Sequence, residues 1–73
     1  MKIHHENDVI HLRESVTADV VGEGRALTMP VGTTGAVVLV HGDPMKPAAY
    51  EIEFYIQDQN CYALATIEAE KVA

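Results

Sequence analysis

The alternation of hydrophobic and polar residues along the chain predicts an all-β protein. Apolar residues at helical spacing are nowhere sustained, whereas β-branched and alternating runs recur between clusters of Gly, Pro, Asp and Asn. Strands are predicted at residues 8–14, 36–41, 50–56 and 61–67. The residues that follow are predicted to form a turn and a short stub in which Val72 packs back.

The third predicted strand alternates most clearly. One of its faces is apolar and the other polar, namely Tyr50, Ile52, Phe54 and Ile56 against Glu51, Glu53 and Tyr55. Because successive side chains of a strand point to opposite sides, the apolar set is predicted to face the core. The polar residues 57–60 have the length of a hairpin turn. Pro44 and Pro47 are predicted to end the pairing in the turn 41–47 that precedes this strand.

The segment 15–31 is predicted to be a long first loop. It is too long for a tight hairpin, and its pattern is too weak for a helix. Loops of this length are functional or are packed down by their own side chains, here Val20, Val21 and Leu27. Together with the short strands and the tight hairpin, this loop predicts a small five-stranded SH3-like barrel, and residues 1–73 are predicted to be one domain.

The predicted second strand is apolar on both faces. Residues 36–40 read Ala-Val-Val-Leu-Val without alternation, although the outside of a small barrel should be wet. The outward pair is predicted to be Val38 and Val40, or else Val37 and Leu39. Exposed apolar surface of this kind marks an interaction site, unless the segment 15–31 covers it. The predicted interface is Val38, Leu39, Val40, Tyr62, Leu64, Val20 and Val21, with Thr66 beside it.

Small size favours the interface interpretation. A chain of 73 residues buries only about 60% of the surface that its unfolded form exposes. Folds this small usually need disulfides, a metal, oligomerisation or unusually good packing. Because Cys61 is the single cysteine, no intrachain disulfide can form.

Four segments occur in order along the chain: DVIHL at 8–12, GTTGAVV at 32–38, YEIEF at 50–54 and ALATI at 63–67. As a set they resemble a small bacterial domain-of-unknown-function family that reads D-V-hydrophobic-x-L, G-x-x-G-x-V-V, Y-E-V-E-F and A-L-x-T-L. The resemblance covers nearly the whole chain, and it implies an SH3-like barrel without an established activity or functional residues. The GTTGAVV segment is also similar to KOW-type ribosomal and transcription-factor barrels and to nitrile hydratase β subunits, a likeness of fold alone. The longer segment around 18–25 and Leu39 depart from the family pattern, which indicates an interface particular to this chain.

The charge of the chain argues against polyanionic partners. Eleven acidic and five basic residues give a net charge of −6, and the bases are scattered. Nucleic acid and anionic lipid are therefore not expected to bind. No segment has membrane-spanning length, and the N-terminus has no apolar leader. With one unpaired cysteine, the sequence predicts a cytoplasmic protein of bacterial type.

Gly32 and Gly35 have the spacing of an anion-binding loop. Such loops precede a helix, whose N-terminus adds a favourable dipole. Here a strand is predicted to follow, and no Lys-Ser/Thr comes after the second glycine. We interpret the pair as a turn that needs positive φ and begins the second strand.

Metal binding and catalysis are not predicted. The zinc-type ligands lack short paired spacing; they are His4, His5, His11, His41 and Cys61. Glu51 and Glu53 lie about 6.6 Å apart by strand rise, a separation that acid–base pairs use, but nothing around them predicts a buried site. Ser15 and Cys61 have no recognisable nucleophile framework. No cofactor is expected.

The predicted function is a non-catalytic interaction module. It is expected to self-associate, as a dimer or a larger homo-oligomer, through the outer face of strands 36–41 and 61–67. One alternative is an accessory or antitoxin-like protein that binds a single hetero-partner through the same surface. Another is a small-ligand or metal-binding barrel with its mouth near His41, Asp43 and the segment 15–31.

Overall fold

A computed structural model describes residues 2–72 as an antiparallel sheet curled into a half-barrel. The strands within these residues are β1 (Val9–His11), β2 (Val16–Val20), β3 (Ala26–Met29), β4 (Thr34–Asp43), β5 (Lys46–Ile56) and β6 (Cys61–Glu68). Their order across the sheet is β1-β4-β5-β6-β2-β3. Single 3₁₀ turns follow β5 (Gln57–Gln59) and β6 (Ala69–Lys71). The all-β class is confirmed, and the described residues form six strands where five were predicted for the chain.

The additional strands lie in the segment that was predicted to be a long loop. β2 and β3 form a hairpin in which Ala18 faces Leu27 and Asp19 faces Ala26. The connecting turn contains Gly22 and Gly24 at φ +77° and +62°, a backbone region that glycine enters without a steric penalty. The loop prediction for 15–31 is therefore wrong, because this segment satisfies its backbone hydrogen bonds as a paired hairpin.

Two other boundaries differ from the prediction. The first strand ends at His11 instead of residue 14, and the chain then crosses to β2. β4 and β5 continue to the tight turn at Pro44–Met45, and Pro47 pairs with Gly42 inside the ladder. A register shift next to Gly42 accommodates Pro47, since an irregular ladder position tolerates the missing N–H.

The core lies on the concave side of the sheet and is centred on β5. Tyr50, Ile52 and Phe54 are completely buried, as the alternation of this strand predicts. Inward residues of all the other strands complete the cluster. Val72 is also buried, but a 3₁₀ turn leads to it in place of a strand stub.

Candidate interaction surface

A β-bulge determines which residues of β4 face outward. Val37 pairs with Ile52 and Leu39 with Glu51, so that Val38 is an extra residue in the ladder. Val37 is 0% exposed, Val38 39% and Leu39 46%, while Val40 packs against the core. Both predicted outward pairs are therefore wrong. The outward pair is Val38 and Leu39, because the bulge resets the alternation between them.

The strand order divides the predicted surface. β5 lies between β4 and β6, so the outer faces of those two strands do not adjoin. Leu39 faces Glu51, and Glu51 in turn faces Thr66. Two residues further along β5, and on the same face, Glu53 faces Leu64. The outer face consequently has a carboxylate row, Glu51 and Glu53, down its middle.

Next to this row lies an aromatic zone, which we define as Val21, Tyr55, Tyr62 and Leu64. Tyr55 continues the row along β5, and the other members lie on its β6 and β2 side. Tyr55 and Tyr62 are a cross-strand pair with ring centroids 5.1 Å apart and are 51% and 49% exposed. The Tyr55 hydroxyl donates to Asn60 Oδ1 at 2.9 Å, and the Val21 N–H donates to the Tyr62 carbonyl at 2.9 Å. These bonds fix the zone to the sheet.

On the other side lies an aliphatic zone, which we define as Val9, Ala36, Val38 and Leu39. Val9 faces Ala36 across the β1–β4 ladder, and the Val9 side chain is largely exposed. Ala36 itself faces Glu53. The outer face therefore reads aliphatic, acidic, aromatic from β1 to β2.

Two residues of the predicted interface do not belong to this surface. Val20 is only 3% exposed, because it faces inward opposite the buried Ala63. Val40 is also inward, opposite Tyr50. The other five predicted residues, Val21, Val38, Leu39, Tyr62 and Leu64, lie on the outer face.

A cleft opens on this face where β2 separates from β6. The two strands pair only at Asp19–Leu64 and Val20–Ala63. Beyond these pairs they diverge around a space of about 560 Å³, which is lined by Thr17, Asp19, Val20, Val21, Gly22, Glu51, Leu64, Ala65 and Thr66. The Thr66 hydroxyl donates to the Glu51 carboxylate at its rim. Sequence patterns could not reveal this cleft, since it depends on which strands adjoin.

Among residues 2–72, the acids of the outer face have no cationic group within 4.0 Å. Within residues 2–72, the pairs of a basic and an acidic side chain within 4.0 Å are His5–Asp8, Arg25–Glu23 and Lys71–Glu14. None of them includes Asp19, Glu51 or Glu53. The Arg25 pKa is raised, chiefly by its hydrogen bond to Glu23, so this base is committed to its own hairpin and to Gln59.

The zinc-type side chains are dispersed. His4 is buried with its ring edge against Tyr50, and its backbone N–H donates to the Tyr50 hydroxyl at 3.0 Å. His11 contacts Thr34 at 3.0 Å, His5 lies beside Asp8, and Cys61 is half-buried at the margin of the core. No three His, Cys, Asp or Glu side chains between residues 2 and 72 form a metal-binding group.

The two glycines before β4 have different structural roles. Gly32 has φ +88°, which confirms the predicted turn. Gly35 is buried inside β4, and a Cβ there would lie 2.6 Å from Ile52 Cγ2 and 2.8 Å from Phe54 Cε1. It is thus required for close packing and not for positive φ. A strand follows both glycines, without the helix that anion-binding loops use.

No helix within the described part of the chain is long and apolar enough to cross a membrane. Comparison with family models, with curated proteins and with solved structures finds no match. Functional inference therefore depends on the outer face itself.

Proposed function

We propose that the protein is a non-catalytic interaction module and that the outer face of its sheet binds another protein. The observation that carries this proposal is the pair of exposed apolar zones on one face of the antiparallel sheet. Contiguous exposed apolar side chains on a small domain typically mark protein contacts. Tyrosine is also enriched at the centres of interfaces.

The carboxylate row bears on whether the partner is a second copy. A two-fold pairing of outer faces whose axis passes through the carboxylate row places Glu51 and Glu53 of one copy against the same residues of the other. Removing four carboxylates from water without cations costs several kcal/mol per uncompensated charge, by order of magnitude. Self-association is the expectation from the sequence; the row favours the alternative, a different protein that carries positive charge.

The fold proposal is an SH3-like barrel related to the small bacterial family described above. Its support is the position of the four matching segments. They lie on β1, at the start of β4, in the centre of β5 and along β6, with Gly35, Ile52 and Phe54 meeting in the core. The β2–β3 hairpin then corresponds to the long first loop.

Affinity capture with the whole protein from its native host tests the proposed function. We expect a partner to be retained by the wild type and by Glu70→Lys, whose position lies outside the outer face on the 3₁₀ turn after β6. The same partner should be lost with Tyr62→Lys and with Leu64→Lys. Equal capture by all four proteins would contradict a binding role for the outer face.

A further inference from the structure

We propose that the cleft between β2 and β6 receives a lysine or arginine side chain of the bound protein. This inference rests on the proposed function, and it specifies the chemistry of the partner. The side chain would enter beside the aromatic zone and end between the carboxylates of Asp19 and Glu51, which both line the cleft.

The first support is the unbalanced charge. Asp19, Glu51 and Glu53 have no Lys, Arg or His nitrogen within 4.0 Å among residues 2–72. The chain as a whole carries a net charge of −6, so its field attracts a cationic partner and repels an anionic one. An uncharged partner surface would remove water from these carboxylates without supplying an opposite charge to compensate the lost solvation energy.

The second support is the backbone at the point where the strands separate. The Val21 N–H donates to the Tyr62 carbonyl, so the alternating ladder makes Asp19–Leu64 the next hydrogen-bonded pair and Thr17–Thr66 the one after it. The ladder stops before that pair. The unpaired Thr17 and Thr66 therefore each direct one N–H and one carbonyl group into the cleft. Ammonium or guanidinium N–H groups can donate to these carbonyl oxygens.

The third support is the apolar lining. Val21, Leu64 and the buried Val20 and Ala65 line the same cleft as the carboxylates. Lysine and arginine bury aliphatic stems along apolar surface while their charged ends reach polar groups. The cleft offers both environments to one side chain, with Tyr62 beside its mouth for an apolar neighbour of that residue in the partner.

Selection of random displayed peptides on the wild-type protein tests the inference. We expect the selected peptides to contain Lys or Arg next to an aromatic or aliphatic residue. In fluorescence anisotropy, their affinity should fall about tenfold with Glu51→Gln or Asp19→Asn, because each substitution removes one carboxylate from the charged contact. Glu70→Gln, which removes the same charge elsewhere, should leave the affinity unchanged. Exchanging Lys and Arg at the peptide's basic position then distinguishes ammonium from guanidinium recognition. Norleucine at the same position keeps an aliphatic stem and removes the charge.

Three results would overturn the inference. Peptides without basic residues, or affinities equal in Glu51→Gln and the wild type, would exclude the cationic contact. If the peptides of either kind still lost binding with Tyr62→Lys, the proposed function would stand while this inference failed. If no peptide bound in a manner sensitive to Tyr62→Lys, both would fail.

Discussion

Gly35 lies where the backbone of β4 passes close to two core side chains. A Cβ at this position would overlap Ile52 and Phe54 at 2.6 and 2.8 Å. We expect Gly35→Ala to lower the free energy of unfolding by about 2 kcal/mol, because an extra methyl group in a packed core forces its neighbours to move. Gly32→Ala is the matched control, since it meets no atom and carries only the strain of φ +88°, about 1 kcal/mol. Urea denaturation measures both, and equal effects would contradict the packing role.

The Tyr50 hydroxyl is the acceptor for a buried backbone group. It receives the His4 N–H at 3.0 Å. Tyr50→Phe would leave that N–H without a partner, and we expect a loss of about 1–2 kcal/mol in the free energy of unfolding. Tyr62→Phe, at an exposed tyrosine, should change it by less than about 0.5 kcal/mol. Thermal unfolding followed by circular dichroism compares the two variants, and similar melting temperatures would count against the bond to His4.

At the scale of elements, the β4 bulge places Val37 and Leu39 on opposite faces of the sheet, whereas simple alternation would place both on one face. Val37→Ala removes methyl groups from a fully buried position, and we expect it to cost about 2 kcal/mol. Leu39→Ala, two residues further along the strand and 46% exposed, should cost less than about 0.5 kcal/mol. Chemical denaturation of the two variants checks the difference. Comparable costs would place both side chains on one face and exclude the bulge.

Local patterns reveal the inward face of β5 because Tyr50, Ile52 and Phe54 alternate with acids. The same patterns missed β2, where the small Ala18 contributes little apolar signal between Val16 and Val20. Local patterns cannot predict the strand order, since the β1–β4 and β2–β6 pairings join distant segments of the chain. The sequence therefore predicts most of the outward apolar residues and the shared face of Glu51 and Glu53. It does not reveal that these acids divide the apolar residues, or that the cleft exists.

For the whole molecule, the distribution of charge on the outer face governs association. We expect the wild type to be monomeric at micromolar concentration and low ionic strength, because paired copies would bring carboxylates together. The double variant Glu51→Gln, Glu53→Gln should show a higher apparent mass, since it keeps the apolar zones without that repulsion. Size exclusion with light scattering measures both.

A wild type that is not monomeric would support the function predicted from the sequence, which is self-association. A dimeric wild type that Leu39→Lys or Leu64→Lys converts to monomers would show that the outer face binds a second copy. The charge-matched double variant Glu68→Gln, Glu70→Gln controls for a general effect of net charge.

The two-pair junction between β2 and β6 also determines how the molecule comes apart. The hairpin of β2 and β3 and the β4–β5–β6 meander are each held by local ladders. The pairs Asp19–Leu64 and Val20–Ala63 and the bond from the Val21 N–H to the Tyr62 carbonyl join the two units. Because this ladder is shorter than those within the two units, subglobal opening should begin along the seam. In native-state hydrogen exchange, the Asp19 and Val21 amides should exchange faster than those in the centre of β5. A ligand that bridges the seam would then slow this exchange, and its binding would be coupled to the integrity of the fold.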